Sequence, residues 1–458
     1  MCEGVCIVIS PLIALMQDQV DSLRAKGVRA EFLNSTLDDE NYRAVMQKIL
    51  SGGVQLLYVS PERMMLPSFL QLAERIRVSF FAIDEAHCVS QWGHDFRPEY
   101  KRLSALKTWF PDTPIIALTA TADPRTREEI CSELLREPKV FAASFNRPNL
   151  TYTVVWKKDA KEQLLAFILL NHRKDSGIVY CLSRKSTEEV AEFLWENGIK
   201  CAAYHAGLPD SERQAVQRDF LEGKIPVIVA TVAFGMGIDK ENVRFVAHYD
   251  LPKSLENYFQ ESGRAGRDGR SADCWVCAGF RDAKIMESLI SKSSGPVWFR
   301  NQSFMKFSAV LDFVYSPECR QKVLLRYFGE EGQDCGRCDN CRRKPKTSDA
   351  SEEVMKFLSC VWRYYKKFGH NPRISDVIRI LRGESGKAAA DPAWKTLSTW
   401  KIGEDFSQRD WEGIVRRLFV LGLLGLEESA EKRCCLTDKA LSFLKNPEPV
   451  LIRARQKP

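Results

Sequence analysis

Val78-Ser79-Phe80-Phe81-Ala82-Ile83 runs directly into Asp84-Glu85-Ala86-His87, and Cys88-Val89-Ser90-Gln91-Trp92-Gly93-His94-Asp95-Phe96-Arg97-Pro98 follows at once. A short apolar run that ends in an acid predicts a buried strand delivering its carboxylate to the carboxyl edge of a parallel sheet. Nucleotide phosphates and their magnesium sit at that edge. Asp84 is then placed to hold magnesium, directly or through water, and Glu85 to polarise an attacking water; a plain strand end is the competing reading of the acid pair alone. The loop behind it offers Trp92, Phe96 and Arg97 to stack on bases. One segment thus faces both ATP chemistry and nucleic acid.

Around this segment the pattern alternates short apolar runs with stretches of three-to-four residue apolar period. Runs at Val5–Ile9, Arg29–Leu33, Gln55–Val59, Val78–Ile83 and Pro114–Leu118 predict a parallel sheet. Ser10-Pro11 supplies an expected N-cap and a first-turn proline for a helix over 12–24. A second series begins near Thr151, with runs at Gly177–Cys181, Lys200–Tyr204, Pro226–Ala230, Arg244–His248 and Ala272–Ala278, and Asn146-Arg147-Pro148-Asn149 reads as a hinge between the two. After Phe280 the chain turns helical, and Arg342–Asp349 reads as a linker. Helices near 352–367, 374–381 and 410–421 lead to a hairpin of Leu423–Glu427 with Arg433–Leu436, which suggests a winged helix. The expected division is 1–145, 146–280, 281–345 and 350–446, with a tail over 447–458.

Three further motifs carry chemistry. Ala117-Leu118-Thr119-Ala120-Thr121-Ala122 leaves a strand with two hydroxyls, read both as a relay between nucleotide and nucleic-acid faces and as an N-cap by Thr121 for the next helix. Gln260-Glu261-Ser262-Gly263-Arg264-Ala265-Gly266-Arg267-Asp268-Gly269 sets two arginines among glycines, suited to donating onto phosphates as charge develops on the γ-phosphoryl. Cys319, Cys335, Cys338 and Cys341 form a distant thiolate plus Cys-x2-Cys-x2-Cys, the donor set of a closed tetrahedral structural zinc site. Cys274 and Cys277, three apart in a strand, point to opposite faces and read as core. Gly383-Glu384-Ser385-Gly386-Lys387-Ala388 imitates a phosphate loop but lacks the first glycine, the terminal Ser/Thr and a preceding strand.

Composition bounds the partners. The 458 residues are 45% hydrophobic and 28% charged with net charge +7, an ordinary globular balance compatible with a polyanion. No apolar run approaches the roughly 18 residues that span a bilayer, so no membrane partner is expected. No secretory signal precedes the first strand. A soluble intracellular protein is expected, its 15 cysteines reduced or metal-bound.

Assembled, these motifs resemble the RecQ family of superfamily 2 DNA helicases over nearly the whole chain. Val8-Ile9-Ser10-Pro11-Leu12-Ile13-Ala14-Leu15, Tyr58-Val59-Ser60-Pro61-Glu62-Arg63 and Tyr204-His205-Ala206-Gly207-Leu208 match as well. The aromatic loop and the cysteine cluster separate this family from other DExH proteins. The resemblance implies two RecA-like lobes, a zinc-binding subdomain and a winged helix, with ATP, magnesium and zinc as cofactors. It also implies 3′ to 5′ unwinding of single-stranded, forked or junction DNA in repair, recombination and replication. By position, Asp84, Glu85, His87, Arg264 and Arg267 would be catalytic, and Thr119, Thr121, Gly237, Asp239 and Gln260 would bind ATP or couple it. Ser10, Pro11, Trp92, Phe96, Arg97, Ser183, Arg184, His205 and Thr231 would contact DNA. The nucleus is the expected compartment in a eukaryote, the cytoplasm or nucleoid in a bacterium.

The family's Gly-Lys-Ser/Thr phosphate loop stands about 15 residues ahead of the Ser10-Pro11 segment. The chain starts at Met1, so this loop and the adenine-reading glutamine before it are expected outside the printed sequence, through an incomplete gene model, an alternative start or a fragment. No ATP turnover is then expected of the printed chain. A catalytically inert DNA-binding or regulatory fragment is the alternative function; an RNA-dependent ATPase fits the aromatic loop and cysteines less well. The acidic tip Glu428-Ser429-Ala430-Glu431 of the hairpin is poorly suited to wedging base pairs.

Overall fold

A computed structural model describes residues 3–11, 13–34, 37–90, 96–235, 240–384, 392–428 and 432–454. They form two compact units, one over Met1–Ser144 and one that starts at Phe145 and takes in nearly all the rest.

In the first unit, β1 (Val5–Ile9), β2 (Ala30–Leu33), β3 (Leu56–Val59), β4 (Val78–Ile83) and β5 (Ile115–Ala117) form one sheet in the order β2-β3-β1-β4-β5. Every pairing is parallel. β1 and β4 lie inside the sheet and are apolar on both faces, which is why they are continuous hydrophobic runs rather than alternating ones. Ile7, Ile9, Leu57, Phe81 and Ile83 build the core between sheet and helices.

Two caps differ from expectation. The helix after β1 is Ile13–Ala25, and Ser10, fully buried, sends its hydroxyl to Asp84 Oδ2 (3.4 Å) instead of capping it. Asp123, not Thr121, caps helix Pro124–Leu134, accepting from Thr126 N at 2.7 Å. At Ser10 a tertiary bond claims the hydroxyl, and at the second helix a carboxylate nearer the helix start takes the capping role.

The second unit opens with β6 (Leu150–Trp156), a strand the apolar runs did not mark, followed by β7 (Ser176–Tyr180), β8 (Cys201–Tyr204), β9 (Val227–Ala230), β10 (Val243–His248) and β11 (Ala272–Ala278). All are parallel, in the order β6-β11-β10-β7-β9-β8. Close packing here is strict: a Cβ on Gly177 would fall 2.1 Å from the Phe245 ring of the adjacent strand. Gly177→Ala should therefore cost about 1–3 kcal/mol by overpacking. Thermal melts check this, and an unchanged midpoint would refute it.

Beyond the sheet, helix Val297–Tyr315 is buried along most of its length and forms the spine of the helical region. Helices Ser351–Phe368, Ile374–Arg382 and Gln408–Val420 pack around Trp411 and Phe357, and β13 (Leu424–Leu426) pairs antiparallel with β14 (Cys434–Leu436). The stretch expected as a linker contains β12 (Thr347–Asp349), which pairs antiparallel with β15 (Leu451–Arg453) from the expected tail. Gly383 ends helix Ile374–Arg382 at φ 68°, and Gly383 N and Glu384 N donate to Ile380 O and Arg379 O. The phosphate-loop imitation thus begins as an ordinary helix C-cap; its residues 385–388 and the hairpin-tip residues 429–431 lie outside the described residues. Among the described residues no helix is long and apolar enough to cross a membrane.

Candidate active site, nucleic-acid surface and metal centre

Ser10, Asp84 and Thr119 leave the carboxyl ends of β1, β4 and β5, three neighbouring parallel strands, and so converge on one edge. Asp84 N donates to Ile9 O (2.9 Å) and Ala86 N to Leu118 O (2.8 Å), continuing the ladder past the strand ends. Asp84 Oδ1 accepts from Glu85 N (2.9 Å), and its carbonyl accepts from the buried Tyr100 hydroxyl (2.9 Å). Burial first, and the neighbouring Glu85 charge second, push the Asp84 carboxyl above its ordinary value.

Glu85 takes a left-handed backbone (φ 47°), a conformation that costs a non-glycine residue on the order of 1–3 kcal/mol. Its Oε2 is shielded from solvent without a hydrogen bond, although His87 Nδ1 lies 3.2 Å away. Thr119 Oγ1 donates to Thr121 O (3.2 Å) and accepts from Thr121 N (3.3 Å), which leaves it the acceptor of His87 Nδ1–H at 2.9 Å. The imidazole tautomer is thus assigned by the hydroxyl's other bonds. Adjacent carboxylates, one raised by burial and one holding an orphaned oxygen, suit a divalent cation and a water. The magnesium that the resemblance implies would be held by Asp84.

Phe96 and Arg97 are half-buried, and an Arg97 Nη donates to Pro11 O at 3.4 Å. Trp92 lies outside the described residues, as do Gly237 and Asp239.

In the second unit, Ser183, His205 and Thr231 follow β7, β8 and β9, neighbours in the sheet, and so share its carboxyl edge. Ser183 is exposed and caps helix Arg184–Glu196 in a reciprocal box with Ser186. Arg184 is exposed beside Gly207. His205 is buried, its Nε2 3.0 Å from Glu188 Oε1 and its Nδ1 accepting from Gly207 N (3.2 Å). Thr231 Oγ1 accepts from Ala233 N at 3.4 Å.

Gln260 is half-buried on helix Leu255–Ser262; past the helix end Arg264 is buried and Arg267 exposed. Burial pushes the Tyr180 hydroxyl up to about 12, and Arg264 beside it pulls the other way. Sequence reasoning missed Tyr100, whose tie to Asp84 has no motif. It also took Arg147 and Asn149 for mere hinge, whereas both bond the arginine-bearing loop.

Cys319, Cys335, Cys338 and Cys341 place all four Sγ atoms within 4.8 Å of one another. Tetrahedral zinc with Zn–S of about 2.3 Å sets sulfurs about 3.8 Å apart, and Cys319 and Cys338 are 3.9 Å apart. Backbone N–H groups of Cys335, Arg320 and Cys341 point at these sulfurs from 3.3 to 3.5 Å, the donors a thiolate cluster needs. The four residues fit zinc. Cys274 and Cys277 are buried in β11.

Family models match the chain almost end to end: DEAD/DEAH box helicase over residues 2–130 and helicase conserved C-terminal domain over 159–269. RecQ zinc-binding follows over 280–342 and the RQC domain over 344–458. The chain is 45% identical over 452 residues to "ATP-dependent DNA helicase RecQ" of Pasteurella multocida, covering 98% of this chain and 70% of that protein. The Haemophilus influenzae protein of the same name is 45% identical, with 98% and 72% covered. That of Bacillus subtilis is 39% identical, with 88% and 68% covered.

Proposed function

Because the chain belongs to the RecQ family of ATP-dependent DNA helicases, we propose that it moves 3′ to 5′ on single-stranded DNA and opens forked or junction duplexes. It does so in repair, recombination and replication, in the cytoplasm or nucleoid of a bacterium or the nucleus of a eukaryote. The observation that carries this reading is the run of contacts at one sheet edge: Ser10 bonds Asp84, Glu85 Oε2 lies 3.2 Å from His87 Nδ1, and His87 bonds Thr119, which bonds Thr121, so that a carboxylate pair abuts the adjoining strand end.

Each residue has a role. Bound magnesium would neutralise phosphate charge. Asp84 would hold that ion, and Glu85 takes the proton of the attacking water at its Oε2, which carries no hydrogen bond. His87 and Thr119 register the state of Glu85 and pass it to Thr121. Arg264 and Arg267 donate to the phosphates, with Gln260, Gly237 and Asp239 on the same coupling path. Pro11, Ser183, Arg184 and Thr231 follow the DNA backbone, with the buried Ser10 and His205 acting behind them at the same strand ends, and Trp92, Phe96 and Arg97 sense the single strand.

The test is Glu85→Gln, in protein that carries the family's Gly-Lys-Ser/Thr loop. DNA-stimulated ATP turnover should fall at least about 100-fold, the scale of a lost general base, with affinity for single-stranded DNA unchanged. Turnover equal to that of the unmodified protein would reject the reading.

A further inference from the structure

The loop that bears Arg264 and Arg267 closes a few turns of its own, such as Ala265 N to Ser262 O (3.1 Å) and Gly269 N to Gly266 O (3.1 Å), and is gripped from outside as well. It leaves helix Leu255–Ser262 at the helix's carboxyl end, where backbone carbonyls lack intrahelical partners and a cation is favoured. The Arg147 guanidinium lies just past this end, on the carbonyls of the loop itself: one Nη donates to Gly263 O (3.2 Å) and the other to Ala265 O and Gly266 O (both 3.1 Å). Those carbonyls lie on either side of Arg264 and directly before Arg267. Asn149 adds a second grip, its Nδ2 donating to Gly266 O (2.8 Å) and Arg270 O (2.9 Å).

Gly266 shows how close this fit is. It sits at φ 58°, and a Cβ there would fall 2.4 Å from Asn149 Nδ2 and 2.7 Å from Arg270 O. The hinge segment is itself anchored: Gln321 bonds Asn146, and Arg337, between two of the cluster cysteines, donates to Leu150 O (3.1 Å) and Gln321 Oε1 (3.2 Å).

We infer that Arg147 and Asn149 are positioning residues for the phosphate-facing arginines: they splint the loop so that Arg264 and Arg267 are presented already ordered. The inference rests on the helicase reading above and adds to it the device that orders the arginines. Pre-ordering matters because a guanidinium aimed at charge that appears only in the transition state loses most of its value when misplaced by an ångström.

The experiment is a double-mutant cycle in DNA-stimulated ATP hydrolysis, again in protein carrying the Gly-Lys-Ser/Thr loop. Arg147→Met should lower kcat about 10- to 100-fold while the KM for ATP and the affinity for single-stranded DNA stay within about 2-fold, since an interaction made only in the transition state is lost. Arg147→Lys, which restores a cation with fewer donors, should recover part of the loss. In an Arg264→Ala/Arg267→Ala background, Arg147→Met should cost no more than about a further 2-fold, because the groups it positions are gone.

Independent, multiplying losses would show that Arg147 only supports the fold and overturn the inference, as would an unchanged kcat. If Arg147→Met does not fold, Asn149→Ser, which deletes two bonds and leaves the backbone, is read in the same way. Glu85→Gln runs alongside. Full turnover in Glu85→Gln rejects the helicase reading; a dead Glu85→Gln beside a fully active Arg147→Met rejects the splint alone.

Discussion

Cys338→Ser should purify without zinc and with the region around residues 319–342 unfolded. Cys338 is fully buried, its sulfur accepts from the backbone of Arg320 and Cys341, and it stands beside Asp339, which holds Arg320. Structural zinc contributes about 10–16 kcal/mol of apparent binding energy in small zinc-dependent folds, as much as the whole stability of a typical domain. Replacing one thiolate by a hydroxyl forfeits most of it.

The damage should spread through Arg320, which is buried and donates to Asp339 through Nε and Nη2 (2.9 Å each), to Asn340 (3.2 Å) and to the carbonyl of Val314 (3.0 Å) at the end of the helical spine. Elemental analysis gives the metal content and limited proteolysis the local unfolding. Stoichiometric zinc in Cys338→Ser would defeat the assignment.

Arg417→Met should cost about 3–5 kcal/mol, the penalty for stripping one partner from buried charges. Arg417 is on helix Gln408–Val420 of the winged-helix region, and its guanidinium bonds Asp312 on the helical spine (3.1 Å) and Glu318. Arg326 supports the cluster, bonding Glu318 at 2.7 and 3.2 Å. The four side chains are mostly shielded from solvent, so among the described residues removing Arg417 leaves Asp312 with a distant Arg326 at 4.0 Å as its ion-pair partner. Calorimetry should show a lower midpoint and an earlier, separate transition for residues 350–446 if this cluster is the tie between the modules. A single unshifted transition would refute it. An Asp312→Leu/Arg417→Leu pair, which buries no lone charge, should lose much less than the single substitution.

The sheets were legible where burial is two-sided, because a strand covered on both faces must be a continuous apolar run; β1 and β4 were readable for that reason. β6 escaped notice because it is an edge strand of alternating burial, with threonines at its half-covered positions. The zinc ligands were legible from spacing alone, since the chemistry is covalent and local. The splint was not. Arg147 bonds carbonyls 116 to 119 residues away, and a backbone acceptor leaves no mark on sequence. The caps failed for a related reason: Ser10 and Thr121 have the right side chain in the right place, but Asp84 at the end of the neighbouring strand takes the Ser10 hydroxyl and Asp123 lies nearer the helix start.

The short pairing of β12 with β15 sets how this region would respond to load. Thr347 lies opposite Arg453 and Asp349 opposite Leu451, so the chain enters and leaves the winged-helix module side by side. Arg453 also reaches back to Tyr315 O (3.1 Å) and Asn340 Oδ1 (2.5 Å), beside the cysteine cluster. A pull between positions 346 and 454 would open the ladder one rung at a time, as a zipper opens, rather than shear all rungs together. The module is thus mechanically soft at its doorway, which lies beside the cysteine cluster.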